Sequence, residues 1–263
     1  MTEFVVAVKR IAVAGLAYAA AAQLTTPRRL MPDQQAGDPR HGKVVYAVYC
    51  TQCHGARGDG NGEAAPFTTP RPRDFRQGLF KFRSTPPGAL PLVSDLDHTI
   101  QNGLYATSMP PFPALDPRAR LDVIAYIQTF SPRWTSDQAA MPLQIAPEPA
   151  HTQDSVVKGR AVYEKQNCAQ CHGDRGSGDG PAAKTLTDDW GNAIVPFDLT
   201  KGHMKGGTTG ADLYRVFMTG LNGTPMPSFV ESIAPGEAWD LVHYIQSLAG
   251  SRKGGRADQE VKP

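Results

Sequence analysis

The chain carries one long pattern twice, and this duplication limits what it can fold into more than any other feature. Gly42-Lys43-Val44-Val45-Tyr46 precedes the pentapeptide Cys50-Thr51-Gln52-Cys53-His54, and Gly159-Arg160-Ala161-Val162-Tyr163 precedes Cys168-Ala169-Gln170-Cys171-His172. Gly55, Gly58, Gly60 and Gly62 follow the first pentapeptide, as Gly173, Gly176, Gly178 and Gly180 follow the second. Further on, Gly103-Leu104 and Met109-Pro110-Pro111-Phe112 answer Gly220-Leu221 and Met226-Pro227-Ser228-Phe229, and Tyr126-Ile127-Gln128 answers Tyr244-Ile245-Gln246. Cys50 and Cys168 stand 118 positions apart, a domain-sized period and not that of a solenoid module. A chain of 263 residues with such a repeat is two similar small domains in tandem.

All four cysteines lie in the two pentapeptides. In C-x-x-C-H the two thiols can add across the vinyl groups of one haem, and the adjoining imidazole then lies under the iron. One isolated motif is also compatible with a redox or zinc-binding cysteine pair. Duplication with similar flanks and no spare cysteine favours two covalently attached haem c groups. Cys50, Cys53, Cys168 and Cys171 are then the attachment points, and His54 and His172 the proximal iron ligands. A domain of roughly a hundred residues buries a modest share of its surface, so a large apolar cofactor can centre each core and folding without it is expected to be poor.

The opposite face of each iron needs a ligand from far along the chain. Met109 and Met226 are the best candidates, 55 and 54 positions beyond His54 and His172, each followed by a Pro that can hold a loop rigid while the thioether points inward. Core packing is the competing role for these methionines, and Met204 and Met218 are rival ligands in the second half. His98, His203 and His243 are expected to be surface or core histidines. The basic run Arg71, Arg73, Arg76, Lys81 and Arg83 is expected to be a solvated loop, with pairing to haem propionates or docking of an acidic partner as the alternatives. Trp190 and Tyr105 are propionate partners on residue type alone.

Composition adds bounds. With 26 Gly and 23 Pro the chain is loop-rich, and a formal charge of +2, offset by haem propionates, gives no reason to expect nucleic acid. Residues 1–24 read as an export signal: Lys9 and Arg10 precede a 14-residue apolar run, 11–24, with an alanine-rich end at 19–22. That run is short for a membrane span, so cleavage is favoured over an uncleaved anchor. A periplasmic location is expected, membrane association through this segment being the alternative. The remaining expectations are a first domain over 38–130, a proline-rich linker over 131–154, a second domain over 155–249 and a disordered tail over 250–263. Asp116-Pro117 should open the last helix of the first domain, Asp154 or Ser155 should cap the first helix of the second, and its closing helix should span 236–248.

These residues resemble class I cytochromes c, and the tandem arrangement is similar to two-haem members of that class. The resemblance covers 41–249 and implies an all-α fold, each domain a small helical bundle wrapped around one haem. It implies that the first and last helices of each domain cross at a glycine and an aromatic, here Gly42 with Tyr126 and Gly159 with Tyr244. It also implies a sixth ligand from the Met-Pro element. The long connections 64–92 and 182–210 depart from the shortest members.

His/Met ligation raises the potential and leaves no vacant iron position, which points to electron transfer and not catalysis. The expected role is a two-haem carrier of single electrons, free or as a subunit of a redox complex. Its partners would be a redox protein donor and acceptor, a membrane-bound respiratory complex included, with no small-molecule substrate. The rival is a two-haem enzyme, a peroxidase or sulfur-compound dehydrogenase with one open haem. That reading must discard a Met-Pro element that is present, and the chain has no fifth cysteine for ligation.

Overall fold

The computed structural model describes residues 37–254, with side chains to residue 249. The expected export signal and most of the expected tail, 255–263, lie outside the described residues. Helix α1 (Pro39–Tyr49) starts where Asp38 caps it, accepting from the Arg40 N–H at 2.9 Å with Pro39 in the first turn, and it ends at Cys50. Helix α2 (Thr51–His54) carries the first pentapeptide, a 3₁₀ turn follows at Ala65–Phe67, and α3 spans Val93–Asn102. Helix α4 (Pro117–Gln128) begins at the expected Asp116-Pro117, the Asp116 carboxylate accepting from the Arg118 N–H at 2.8 Å. After the short α5 (Arg133–Ser136) the plan recurs: α6 (Gln153–Lys165), α7 (Ala169–His172), a 3₁₀ turn at Leu199–Lys201, α8 (Gly210–Thr219) and α9 (Pro235–Gly254). Two isolated bridges, Thr187 with Ala193 and Met204 with Gly207, are the only extended pairings among the described residues, so the fold is all-α. None of these helices is long and apolar enough to cross a membrane.

Two boundaries differ from expectation. The cap of α6 is Thr152, not Asp154 or Ser155: Thr152 Oγ1 accepts from the Ser155 N–H and Ser155 Oγ from the Thr152 N–H, both at 3.1 Å. This reciprocal pair satisfies two orphan donors at once, while Asp154 pairs one turn on with Lys158 at 2.6 Å. Helix α9 runs to Gly254, six residues past the expected end, because extending a nucleated helix costs far less than starting one.

The crossings of α1 with α4 and of α6 with α9 organise the two halves. At Gly42 a Cβ would collide with the Asp122 carbonyl, and the Tyr126 side chain lies beside it; at Gly159 the same holds for the Asp240 carbonyl and Tyr244. Only glycine lets the backbones approach so closely. Around α1 and α4 gather Val45, Tyr46, Phe80, Leu96, Val123 and Ile124, and around α6 and α9 a larger cluster that includes Tyr163, Phe217, Trp239, Val242 and Ile245. Segment 131–154 lies across both halves. Arg133 donates to the carbonyls of Gly78 and Gly88, the Leu143 N–H to Ser84 O at 2.7 Å, and Trp239 Nε1 to Ala146 O at 3.2 Å.

Candidate haem sites

In the first half, one cavity of ≈ 310 Å³ brings together Cys50, Cys53, His54 and Met109. The local backbone explains how. Gly55, Gly58 and Gly60 adopt positive φ, which folds the chain after α2 back so that the Gly60 N–H bonds His54 O at 2.9 Å and the Gly62 N–H bonds Cys53 O at 3.1 Å. The Tyr46 hydroxyl, buried in α1, donates to Gly55 O at 2.9 Å. His54 Nδ1 lies 3.0 Å from the carbonyl of Arg73, and Phe75 stacks on the imidazole with ring centroids 4.5 Å apart. Donation from Nδ1–H to that carbonyl selects the tautomer whose Nε2 lone pair is free to ligate a metal. Burial holds the His54 pKa below its ordinary value, so the ring is neutral as ligation requires.

The second half repeats this. Tyr163 donates to Gly173 O at 2.6 Å, the Gly178 N–H to His172 O at 2.8 Å, and His172 Nδ1 lies 3.1 Å from Phe197 O. Burial lowers the His172 pKa in the same way. Cys168 and Met226 both pack against the second core.

The two methionine loops are built alike. The Leu104 N–H bonds Met109 O at 3.0 Å, the Thr107 N–H bonds Leu104 O, and Thr107 Oγ1 accepts the Met109 N–H at 3.1 Å. Leu221, Thr224 and Met226 make the same three bonds, at 3.1, 3.1 and 3.3 Å. Thr107 and Thr224 were not singled out from the sequence, although each stands two residues before its methionine in both copies of the repeat. The rivals are placed elsewhere: Met218 is buried in the core on α8 and Met204 packs at the edge of that core. His98 and His203 are exposed, and His243 is buried against Ser155.

The alternative cysteine chemistries lose ground. Burial pushes the Cys50 thiol up to about 12 and the Cys168 thiol up to about 11, the reverse of a reactive redox cysteine. No group of three or more His, Cys, Asp or Glu side chains able to hold a metal occurs among the described residues, whereas structural zinc needs four ligands.

Apart from Arg76, which is exposed and pairs with Asp74 at 2.7 Å, the basic run is not the expected solvated loop. Arg83 is 3 % exposed and donates to the carbonyls of Thr219 and Gly220 in the opposite half. Arg71, Arg73 and Lys81 line the first cavity together with Lys205 of the second half. The Arg73 guanidinium lies 4.4 Å above the Trp190 ring, and a Cβ at Gly223 would strike both groups. Burial pushes Arg73 down to about 10 and Lys81 down to about 8, with neighbouring cations adding to the effect on Lys81. Arg71 Nη1, Arg73 Nη1 and Trp190 Nε1 are buried without a protein partner. Buried donors of this kind call for an anionic acceptor, which haem propionates would supply. Tyr105, the other aromatic considered, instead packs on Phe197 and His203.

An apolar cavity with two thiols, a neutral imidazole and a thioether, bordered by unpaired donors, fits haem c. Such a site in the first half, with the same motif, imidazole bond and methionine loop repeated in the second half of an all-α tandem repeat, defines a two-domain c-type cytochrome. The cytochrome c family model matches residues 40–131 and again 156–249, and the chain belongs to that family. It carries two covalently attached haem c groups, for which the pairs Cys50/Cys53 and Cys168/Cys171 are the attachment motifs, and its chemistry is haem-based electron transfer. Among solved structures it is similar to a chain described as "Kuenenia stuttgartiensis reducing HAO-like protein complex Kustc0457/Kustc0458". That match has 40% identity and a TM-score of 0.78, over 79% of this chain and 95% of that one. No curated protein sequence matches.

Proposed function

We propose that this cytochrome is an exported, periplasmic two-haem carrier of single electrons, with His54/Met109 and His172/Met226 as the axial pairs and redox proteins on either side of it. The observation that carries this reading is the likeness of the two methionine loops: the backbone of each methionine is held by the same three hydrogen bonds, which supports the same ligand role for both. Bound haem supplies a one-electron Fe(III)/Fe(II) couple. The chain's own residues do the rest. The carbonyls of Arg73 and Phe197 hold the imidazoles in the ligating tautomer, thioether ligation raises the potential, and the apolar walls keep water from the iron. Similarity to a chain of a protein complex supports work as a subunit of a larger redox assembly. It also keeps the enzymatic alternative, with one open haem, as the second reading.

The test is the optical spectrum of the dithionite-reduced holoprotein before and after carbon monoxide, with haem content measured alongside. Two haems per chain and no spectral change support the carrier. A shift in half of the haem marks one open iron and favours the enzyme.

A further inference from the structure

The levers that set a haem potential are axial ligands, hydrogen bonds around them, burial and nearby charge. On the two-haem carrier reading above, the first two are matched between the halves: the ligand types are the same, and the proximal imidazoles bond backbone carbonyls at 3.0 and 3.1 Å. Charge is not matched. The carbonyl partners make Arg73 and Phe197 structural equivalents, and two positions earlier Arg71 corresponds to Val195. The first half thus has two guanidinium groups where the second has two apolar side chains.

The other half adds to the imbalance. Lys205 reaches from the second half to the first cavity, so Arg71, Arg73, Lys81 and Lys205 line it with no carboxylate among the lining residues. A smaller adjoining cavity of ≈ 230 Å³ does contain acids: Asp59 and Asp74 pair with arginines, while Asp188, with Asp189 and Asp74, offsets part of the charge of Arg73, leaving the four cations in excess. Asp59 accepts from Arg57, Asp74 from Arg76 at 2.7 Å, and Asp188 from the Trp190 N–H and from Asn192. At the place equivalent to Arg73, the Phe197 ring lies edge-on to Tyr105 and brings no charge of its own, Lys205 Nζ standing 5.7 Å from its centroid as the cation shared by both halves.

We propose that this cation cluster makes the first-half haem the higher-potential one, so that a single electron shared by the two irons rests at equilibrium on the first half. Adding an electron beside fixed positive charge in a poorly solvated site is favoured over adding it where that charge is missing. The exchange balances by itself: ferrous iron of the second half is oxidised, ferric iron of the first is reduced, and no proton or co-reactant takes part. Arg73 acts here as a positioning and electrostatic residue, its side chain tuning a site whose ligand its backbone orients.

The experiment is a spectroelectrochemical titration of the holoprotein and of Arg73→Gln, Arg73→Lys, Lys205→Gln and the distant exposed control Arg160→Gln. The upper midpoint is expected to fall by about 59 mV in Arg73→Gln, a tenfold loss of preference for the electron. It should return in Arg73→Lys and stay in place in the control, the lower midpoint being unmoved in these variants, and in Lys205→Gln the upper midpoint should fall further than the lower. Met109→Ala assigns the half, because the midpoint it displaces belongs to the first. Overturning results are displacement of the lower midpoint by Met109→Ala, equal movement of both midpoints in the charge variants, or no movement. Lys205→Gln keeps the inference testable if Arg73→Gln fails to fold. Loss of haem or binding of carbon monoxide by the unaltered protein would instead strike the carrier reading.

Discussion

Met109 and Met226 occupy loops whose form comes from a threonine and a glycine that turn the chain just ahead of them. Gly103 and Gly220 take φ of 64° and 68°, closing α3 and α8, and Thr107 and Thr224 then hold the methionine backbone from within the loop. Met109→Ala or Met226→Ala is therefore expected to leave the loop in place and remove only the thioether. The altered iron should bind carbon monoxide in the reduced state and its potential should fall, and unchanged spectra in either variant would remove that methionine from the ligand set. At this scale the sequence is informative wherever chemistry is local. The pentapeptides name their own histidines, and the Met-Pro element stands at matching places in both copies. Arg73 is the counterexample. It has no basic counterpart in the second copy, and its burial is produced by Trp190 and Gly223, more than a hundred residues away.

At the scale of elements, the α1/α4 crossing is fastened by one buried acid. Asp122 on α4 accepts from the Asp38 N–H at 2.7 Å, bonds His41 Nδ1 at 2.7 Å and pairs with Arg118 at 3.2 Å. Burial works to raise its pKa, but the Asp38 N–H, His41 and Arg118 outweigh it and hold the carboxyl below the usual range. A depressed carboxyl contributes stability that is fully present above its unfolded value, near pH 4, and is lost as pH falls through the lower folded value. Asp122→Asn should cost roughly 1–3 kcal/mol at pH 6 and flatten the acid limb of the stability curve, as read from urea unfolding of the holoprotein across pH 2–7. Helix starts are legible where a single cap suffices, as at Asp116-Pro117. The start of α6 is less so, because Thr152, Asp154 and Ser155 are all competent caps and the choice falls to reciprocal bonds in which the backbone N–H of Thr152 and of Ser155 each donates to the other's hydroxyl.

For the whole molecule, Arg83 is a buried tie between the halves. Its guanidinium is buried, burial lowers it to about 10 so that it stays cationic at neutral pH, and it donates to Thr219 O and Gly220 O at the foot of the Met226 loop. Arg83→Met keeps much of the volume and removes the donors, leaving Thr219 O without its charged donor and Gly220 O with the Thr219 hydroxyl at 3.3 Å. The cost should be about 2–3 kcal/mol. The halves should then unfold in two separated calorimetric transitions, with each haem still attached; a single unshifted transition would show that other contacts hold the halves together.

Two covalent haems and their proximal histidines follow from short-range chemistry and from a repeat visible in one dimension, because a motif that must bond one cofactor keeps its parts at fixed spacing; the glycine–aromatic crossings come from the resemblance to a known family. The setting of those haems in a shared electrostatic field is a different kind of fact. Arg71, Arg73 and Lys81 come from a run that reads as a solvated loop and Lys205 from a distant segment, and they line one cavity when the halves pack. Charge acts through space at the dielectric of the folded interior, so its effect on each iron depends on distances that arise only once the two domains meet.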